Sequence, residues 1–162
     1  VTLEKCGKQI KLAIDDEHTT TSDLFKAGAT ACLRASGSSF GTLMAVAFMT
    51  AAKETVAMPV LSNVDVGPLI AKVNSALMAR GRSNLGDKTA VDSLEAIRKA
   101  VHGLGDGDDL QKKVLQAAEI SSKEFCTRPN KIGRARMFAE KSIGLKDPGM
   151  VAVERIVGVI AS

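Results

Sequence analysis

The stretch SGSSFGTLMAVAFM, residues 36–49, joins a glycine- and hydroxyl-rich loop directly to an apolar run. The run predicts a helix from about Gly41 to Thr55 that is apolar on nearly every side, which is typical of a buried helix. The first N–H groups of a helix have no partner within it, and the helix dipole places partial positive charge there. With Gly37 and Gly41 keeping the backbone open, the loop of residues 36–42 is predicted to suit a phosphate group.

The composition favours a helical protein. Of the 162 residues, 45% are hydrophobic but only 3% are aromatic, with no Trp or Tyr. A core of aliphatic side chains and Met favours close-packed helices, because strands are enriched in aromatic and β-branched residues. The net charge of +4 suits a polyphosphate ligand. Nucleic acid is not expected as a partner, because the chain has no Lys/Arg-rich run of about five or more residues and little aromatic surface on which bases could stack.

Other classes of protein are also disfavoured. No apolar run approaches the length of about 18 residues that a membrane span requires, so no membrane association is expected. The three cysteines, Cys6, Cys32 and Cys126, form no CxxC pair, and only His18 and His102 could join them. A zinc site is therefore not expected, and buried free thiols in a reducing, cytoplasmic compartment fit best.

Helical spacing of apolar residues predicts about eight helices and no strand. Short links between them indicate antiparallel neighbours, and the predicted fold is a single all-α domain over residues 1–162, an antiparallel eight-helix bundle or barrel. The helices are expected over residues 2–14, from a cap at Thr21 or Ser22 to Ala35, over 41–55, over 66–81, from about Thr89 to Val101, over 109–126, over 135–143, and from Asp147-Pro148 onward. In the second of these helices, the small residues Gly28 and Ala31 indicate tight packing against a neighbour. In the last helix, Val153, Ile156, Val157 and Ile160 are expected to face inward.

The sequence GRSNLGDKT, residues 81–89, nearly matches a phosphate-binding P-loop. The inserted Asp87 breaks the motif, and a helix precedes the loop where a P-loop needs a strand, so that interpretation is rejected. Two interpretations stay open. The stretch is a loop between helices with Thr89 or Asp87 as the cap, or its glycines admit a ligand while Lys88 carries positive charge towards it.

The sequence GRARMFAEKSIGLKDPG, residues 133–149, holds two further candidates. Arg134 directly follows a glycine, and its guanidinium matches the oxygens of a phosphate. Asp147-Pro148-Gly149 is a helix start, since Asp is a good N-cap and Pro suits the first turn. This turn is also expected to present free N–H groups and a carbonyl as a nucleotide clamp.

Clustered carboxylates elsewhere are interpreted as structural. Asp106, Asp108 and Asp109 lie in a Gly/Asp turn that is expected to cap the following helix rather than to bind a metal.

Taken together, the three stretches resemble the nucleotide-binding L subunit or L domain of dihydroxyacetone kinases. The resemblance covers essentially the whole chain and rests mainly on two runs. The residues that match the family's G-D-K-T-x-x-D and G-R-A…S-x-G-x-x-D-P-G patterns are Gly86, Asp87, Lys88, Thr89 and Asp92, and Gly133, Arg134, Ala135, Ser142, Gly144, Asp147, Pro148 and Gly149.

The resemblance implies a barrel of eight antiparallel helices with ADP or ATP and Mg²⁺ bound at one end. It implies phosphoryl transfer to dihydroxyacetone held by a separate K subunit, with phosphate supplied either by exchanging ATP or by a phosphotransferase-system protein that recharges bound ADP. It assigns no catalytic residue to this chain. The nucleotide-binding residues that it implies are Thr2, Ser38, Ser39, Phe40, Gly81, Ala90, Arg134, Asp147, Pro148 and Gly149.

The chain departs from the family pattern in two places. Phe40 stands where a smaller residue is usual, so its backbone N–H rather than its side chain is expected to serve. The family's magnesium ligands form a G-D-x-D-x-G run that would end just before Val1, so no metal ligand is expected in the given chain and the metal-binding segment is expected to be missing. Two alternatives remain: the ATP-binding domain of a related fatty-acid kinase, and a non-catalytic helical module that binds a protein partner.

Overall fold

A computed structural model of the chain describes residues 4–5, 7–8, 11, 20–35 and 37–160. Within these residues the secondary structure is helical throughout, so the all-α prediction is confirmed, while the eight-helix barrel stays a prediction. The elements are α1 (Thr21–Ala35), α2 (Ser39–Glu54), α3 (Asn63–Gly81), α4 (Ala90–Ala100), α5 (Leu110–Phe125), a 3-10 segment (Arg134–Ser142) and α6 (Pro148–Ile160). Most of the helix predicted over residues 2–14 lies outside the described residues.

The α1 and α2 helices pack closely and run antiparallel. The Ser22 hydroxyl near the start of α1 donates to the Ala52 carbonyl near the end of α2 at 2.8 Å. Farther along, Gly28 lies against the Phe48 ring, where a Cβ atom would sit only 3.3 Å from ring carbons. The predicted tight packing through small residues of α1 is therefore confirmed. The cap is one residue earlier than predicted, because the Thr20 hydroxyl accepts the Asp23 N–H.

The α2 helix begins at Ser39, two residues before the predicted start, because Ser38 caps it by accepting the Gly41 N–H at 3.2 Å. Residues 39–42 therefore form its first turn, and the predicted loop there is shorter than expected. The expectation of an entirely buried helix is wrong for the described structure. Its buried residues are small ones on one side, while Met49 is 39% exposed.

The main core lies between α4, α5 and α6. Its buried cluster consists of Ile97 of α4, Val101 directly after α4, Ala118 of α5, and Val153 and Val157 of α6. Ile156, which was predicted to face inward, is 38% exposed. The prediction for Ile156 is wrong because Val153 and Val157, which are four residues apart, define the inward face of α6. Ile156 lies beside that face. The side chain of Ile160 lies outside the described residues.

Three of the predicted helix starts and turns are confirmed. Thr89 caps α4 and Asp109 caps α5, with the Asp109 carboxylate accepting the Lys112 N–H at 2.9 Å. Asp108 accepts the Gly105 N–H within the turn, as expected for a structural turn, and Asp106 accepts the N–H of Asn63 at the start of α3. The short helix predicted over residues 135–143 is instead a 3-10 segment with a kink at Ala139, whose φ is +39°.

The cysteine prediction is confirmed in part. Cys32 is completely buried and Cys126 is half-buried, while Cys6 lies outside the described residues. Across the described ranges, none of the helices has both the length and the apolar character needed to cross a bilayer.

Candidate functional site

The starts of α2, α4 and α6 lie at the same end of the molecule, where α3 terminates. Gly81, the last residue of α3, lies near Leu43 in α2, whose Cδ2 would be 3.8 Å from an added Cβ. The loop after Gly81 leads directly into Ala90, the first residue of α4. A Cβ on Gly149 would lie 3.3 Å from the Ala90 nitrogen, so α4 and α6 begin side by side. Helix N-termini concentrate partial positive charge, and this end of the protein therefore suits an anion.

At the start of α2, Ser39 is exposed, whereas Ser38 and Phe40 are half-buried. The Ser38 side chain is engaged in capping through its bond from the Gly41 N–H. A phosphate at this helix start would therefore meet the exposed Ser39 hydroxyl and first-turn N–H groups more directly than the Ser38 hydroxyl.

The loop of residues 82–89 is built around the Asp92 carboxylate. Asp92 accepts the Gly86 N–H at 2.5 Å and the Thr89 N–H at 2.8 Å, while the Thr89 hydroxyl accepts the Val91 N–H. This reciprocal arrangement is a capping box, which satisfies donors at the helix start. Lys88, between these residues, adopts a left-handed backbone with φ of +64°.

Lys88 is directed into the protein. Its side chain is completely buried, and its Nζ donates to the Arg128 carbonyl at 2.8 Å and to the Ser142 carbonyl at 2.9 Å. The expectation that Lys88 carries charge towards a ligand is therefore wrong. Its ammonium instead joins the loop after α3 to both ends of residues 128–142, which we call the basic loop.

Asn130 extends this network to the start of α6. Its side-chain amide donates to the Lys88 carbonyl at 3.1 Å and to Asp147 Oδ2 at 2.9 Å. Its backbone N–H donates to the Ser142 hydroxyl at 2.8 Å. Because Asn130 is 5% exposed, these bonds form in an environment where an unpaired polar group would be costly. The chain segments around residues 88, 130, 142 and 147 are thus bonded into one unit.

Asp147 caps α6 as predicted. Its Oδ1 accepts the Gly149 N–H at 2.8 Å and the Met150 N–H at 3.0 Å. Burial raises the pKa of Asp147, against the opposing effects of these backbone bonds, the Asn130 amide and the Lys88 charge. Because Pro148 has no N–H and the next two are taken, the expectation that this turn offers free N–H groups is wrong.

The basic loop has an exposed tip. Gly133 precedes the 3-10 segment with φ of +72°, a conformation that favours glycine, and Arg134 opens the segment. Arg136, Met137 and Phe138 are exposed. The side chain of Arg134 and all of Thr2 lie outside what the structure describes.

The described carboxylates do not fit a magnesium site. Among the residues described, no group of three or more Asp, Glu, His or Cys side chains could hold a metal ion. Asp92 and Asp147, the carboxylates nearest the helix starts, are both committed to backbone N–H groups.

Sequence reasoning missed Asn130 and the internal role of Lys88. No local signal marks Asn130 in the sequence RPNKIG, because its partners at 88 and 147 are distant in the chain. Ser142 was marked in the sequence because it belongs to the G-R-A…S-x-G run. Nothing in that run indicated that its hydroxyl bonds Asn130.

The fold and site define an all-helical domain in which three helix starts and a basic loop meet at one end. Within that class, a family model described as the DAK2 domain matches residues 1–162. The chain therefore belongs to the DAK2 domain family, and its resemblance to dihydroxyacetone kinase L components is confirmed.

Individual relatives agree with this assignment. The chain is 30% identical over 143 residues to the ADP-binding subunit DhaL of PEP-dependent dihydroxyacetone kinase 1 of Listeria innocua, covering 86% of this chain and 66% of that protein. It is 28% identical over 131 residues to the corresponding DhaL subunit of Escherichia coli, covering 78% and 60%. An L-erythrulose kinase of Pectobacterium atrosepticum is 28% identical over 97 residues, covering 57% and 16%. The chain thus spans about two thirds or less of the length of these relatives.

Proposed function

We propose that the chain is the ADP- or ATP-binding component of a dihydroxyacetone kinase. The observation that carries the proposal is the family match over residues 1–162, joined to relatives whose names specify an ADP-binding subunit. In this role the chain holds the nucleotide while dihydroxyacetone is held by a separate K subunit. Either exchanging ATP or a phosphotransferase-system protein supplies the phosphoryl group.

The nucleotide is proposed to bind at the end where α2, α4 and α6 begin. Ser38, Ser39 and Phe40 face the phosphates, with the first turn of α2 supplying N–H groups and partial positive charge. Arg134 supplies a bidentate cation from the basic loop. Gly81 and Ala90 border the adenine, and Asp147, Pro148 and Gly149 close one side. Thr2 completes the proposed set near the phosphates.

The chain's own chemical contribution is positioning and charge neutralisation, which account for most of the catalysis in phosphoryl transfer. Positive charge at the helix start and on Arg134 offsets charge on the transferring phosphoryl group. Mg²⁺, when bound, would supply further neutralisation. Its ligands are proposed to lie outside the described residues.

A second acceptor is supported by one comparison. The L-erythrulose kinase relative shows that similarity to this chain is not confined to kinases named for dihydroxyacetone. Since the acceptor is proposed to sit on another polypeptide, the present chain would serve either sugar unchanged. Assays with the K partner should therefore offer dihydroxyacetone and L-erythrulose in parallel.

The direct test is calorimetric titration of the full chain with ADP in the presence of magnesium. We expect saturable binding, and we expect Arg134→Ala to weaken it by about tenfold or more, as the loss of a charge-assisted bond to phosphate would. Arg136→Ala is the matched control, since it removes the same charge two positions away and should leave affinity nearly unchanged. A chain that binds no ADP would favour the interaction-module alternative, and equal losses in both variants would remove Arg134 from the site.

A further inference from the structure

We infer that Lys88 is a positioning residue for the nucleotide, which fixes the base of the basic loop and so orients Arg134. The inference rests on the proposed function, because it assigns Lys88 a part in nucleotide binding without contact to the nucleotide. Its foundation is the pair of bonds from Lys88 Nζ, at 2.8 Å to the Arg128 carbonyl and 2.9 Å to the Ser142 carbonyl.

These two carbonyls mark the two ends of the basic loop. By binding both, one ammonium group holds the ends at a fixed separation. Further bonds reinforce the same closure: the Asn130 N–H donates to the Ser142 hydroxyl, and the Gly144 N–H donates to the Cys126 carbonyl at 2.7 Å. The base of the loop is therefore fixed by several hydrogen bonds, with the completely buried Lys88 at their centre.

The tip of the loop contrasts with its base. Residues 136–141 are exposed, and Met137 and Phe138 are 84% and 61% exposed. Few contacts at the tip can set its direction, so the geometry of the base decides where the tip, and Arg134 at its beginning, is held. A closed loop of this length with joined ends is typical of functional surface loops.

Burying a charged side chain at this position costs free energy. Desolvation of a buried ammonium opposes folding, and an apolar side chain of similar volume is often tolerated equally well at such places. Lys88 also holds a left-handed backbone, which disfavours side chains in general. What an ammonium offers here is several N–H donors on one atom, enough to bind two carbonyls from distant parts of the chain.

Lys88 also connects the loop to the other proposed wall of the site. Asn130 bonds both the Lys88 carbonyl and Asp147 Oδ2. A shift of Lys88 would therefore move the start of α6 together with the basic loop. The same residue sets the relative position of Arg134 and the Asp147 turn.

The test is a double-mutant cycle on ADP affinity, measured by calorimetry with magnesium and the full chain. We expect Lys88→Met to weaken ADP binding by about tenfold, since small misplacements of binding groups have large effects. In an Arg134→Ala background the same substitution should weaken binding by less than about threefold, because the group that it misplaces is already gone. In the matched Arg136→Ala background the full loss should remain. Wild-type affinity in Lys88→Met, or an undiminished loss in the Arg134→Ala background, would overturn the inference.

Two controls separate positioning from a general loss of stability. Ile97→Val weakens the core at α4, the helix that follows the Lys88 loop, and should leave ADP affinity unchanged. Ser142→Ala removes the hydroxyl that accepts the Asn130 N–H while keeping Lys88. It should weaken ADP binding by about threefold, and this loss should likewise shrink in the Arg134→Ala background. If Lys88→Met does not fold, Ser142→Ala decides: the same dependence on Arg134 supports the inference, and unchanged affinity overturns it.

Hydrogen exchange without nucleotide gives an independent readout. In Lys88→Met, amides of residues 131–141 should exchange faster, while those of α5 keep wild-type rates. If the wild-type chain binds no ADP, the proposed function fails by itself, and exchange still shows whether Lys88 holds the loop. Unchanged exchange in the loop would contradict the role of Lys88 whatever the ligand.

Discussion

Asn130 Nδ2 donates to Asp147 Oδ2 at 2.9 Å, which links the connection after α5 directly to the cap of α6. Both residues are buried, and the same amide also bonds the Lys88 carbonyl. The α6 start is therefore held from outside its own helix as well as by local capping. Its position depends on a chain segment that precedes it by 17 residues.

The bond from Asn130 predicts a further change in the pKa of Asp147. This amide stabilises the ionised carboxylate, and burial already raises the pKa. Asn130→Ala should therefore raise the pKa of Asp147 further and destabilise the fold by about 1–3 kcal/mol, because buried groups lose their partner. Carbon-detected NMR titration of the Asp147 carboxyl group measures the pKa. A lower pKa in the variant would contradict the structure.

Asp147 also predicts a pH dependence of stability. Since burial raises the pKa of its carboxyl in the folded state, the folded protein holds this proton more tightly than the unfolded chain. The stabilisation from the protonated form is complete below the unfolded value of about 3.9 and is lost as pH rises through the folded pKa. The unfolding free energy of wild type relative to Asp147→Asn should therefore fall as pH increases from about 4. Denaturant unfolding of both proteins across a pH series measures the difference, and a rise would be inconsistent with a raised pKa.

The capping boxes of α3 and α4 hold carboxylates, Asp65 and Asp92, that differ in burial and in the N–H groups they accept. Asp92 is 5% exposed and accepts N–H groups from Gly86 and Thr89, whereas the half-buried Asp65 accepts from Ser62 alone. Asp92→Ala should therefore cost about 2 kcal/mol of unfolding free energy. Asp65→Ala, at the same position in its helix, should cost less. Urea denaturation of the two variants tests the order, and equal losses would show that the Gly86 bond adds nothing.

The sequence predicted well those features that depend on neighbouring residues. Asp147 was recognisable as a cap because Pro148 follows it directly, and the cap of α4 was narrowed to Thr89 or Asp87, since capping is a local interaction. Lys88 was misinterpreted because a lysine in a polar loop normally faces solvent. Its burial depends on carbonyls 40 and 54 residues away, and no local pattern reports such a contact. The 3-10 segment was predicted as a helix, since periodicity does not reveal the kink at Ala139.

Two glycines of α6 should respond oppositely to the same substitution. At Gly149, an added Cβ would lie 2.9 Å from Asp147 Oδ1 and 3.3 Å from the Ala90 nitrogen, so α6 would have to move away from α4. At Gly158, the nearest neighbour of an added Cβ is Leu115 Cδ1 at 3.9 Å, an ordinary contact. Gly149→Ala should therefore destabilise the protein by about 1–3 kcal/mol through overpacking.

Gly158→Ala should instead stabilise it by about 0.5–1 kcal/mol, because alanine loses less backbone entropy than glycine on forming a helix. Thermal unfolding of the two variants beside wild type measures both effects, and the sign carries the test. If Gly149→Ala were as stable as Gly158→Ala, α4 and α6 would not begin in contact. The joined helix starts, on which the proposed arrangement of Ala90 and Gly149 in the nucleotide site depends, would then be wrong.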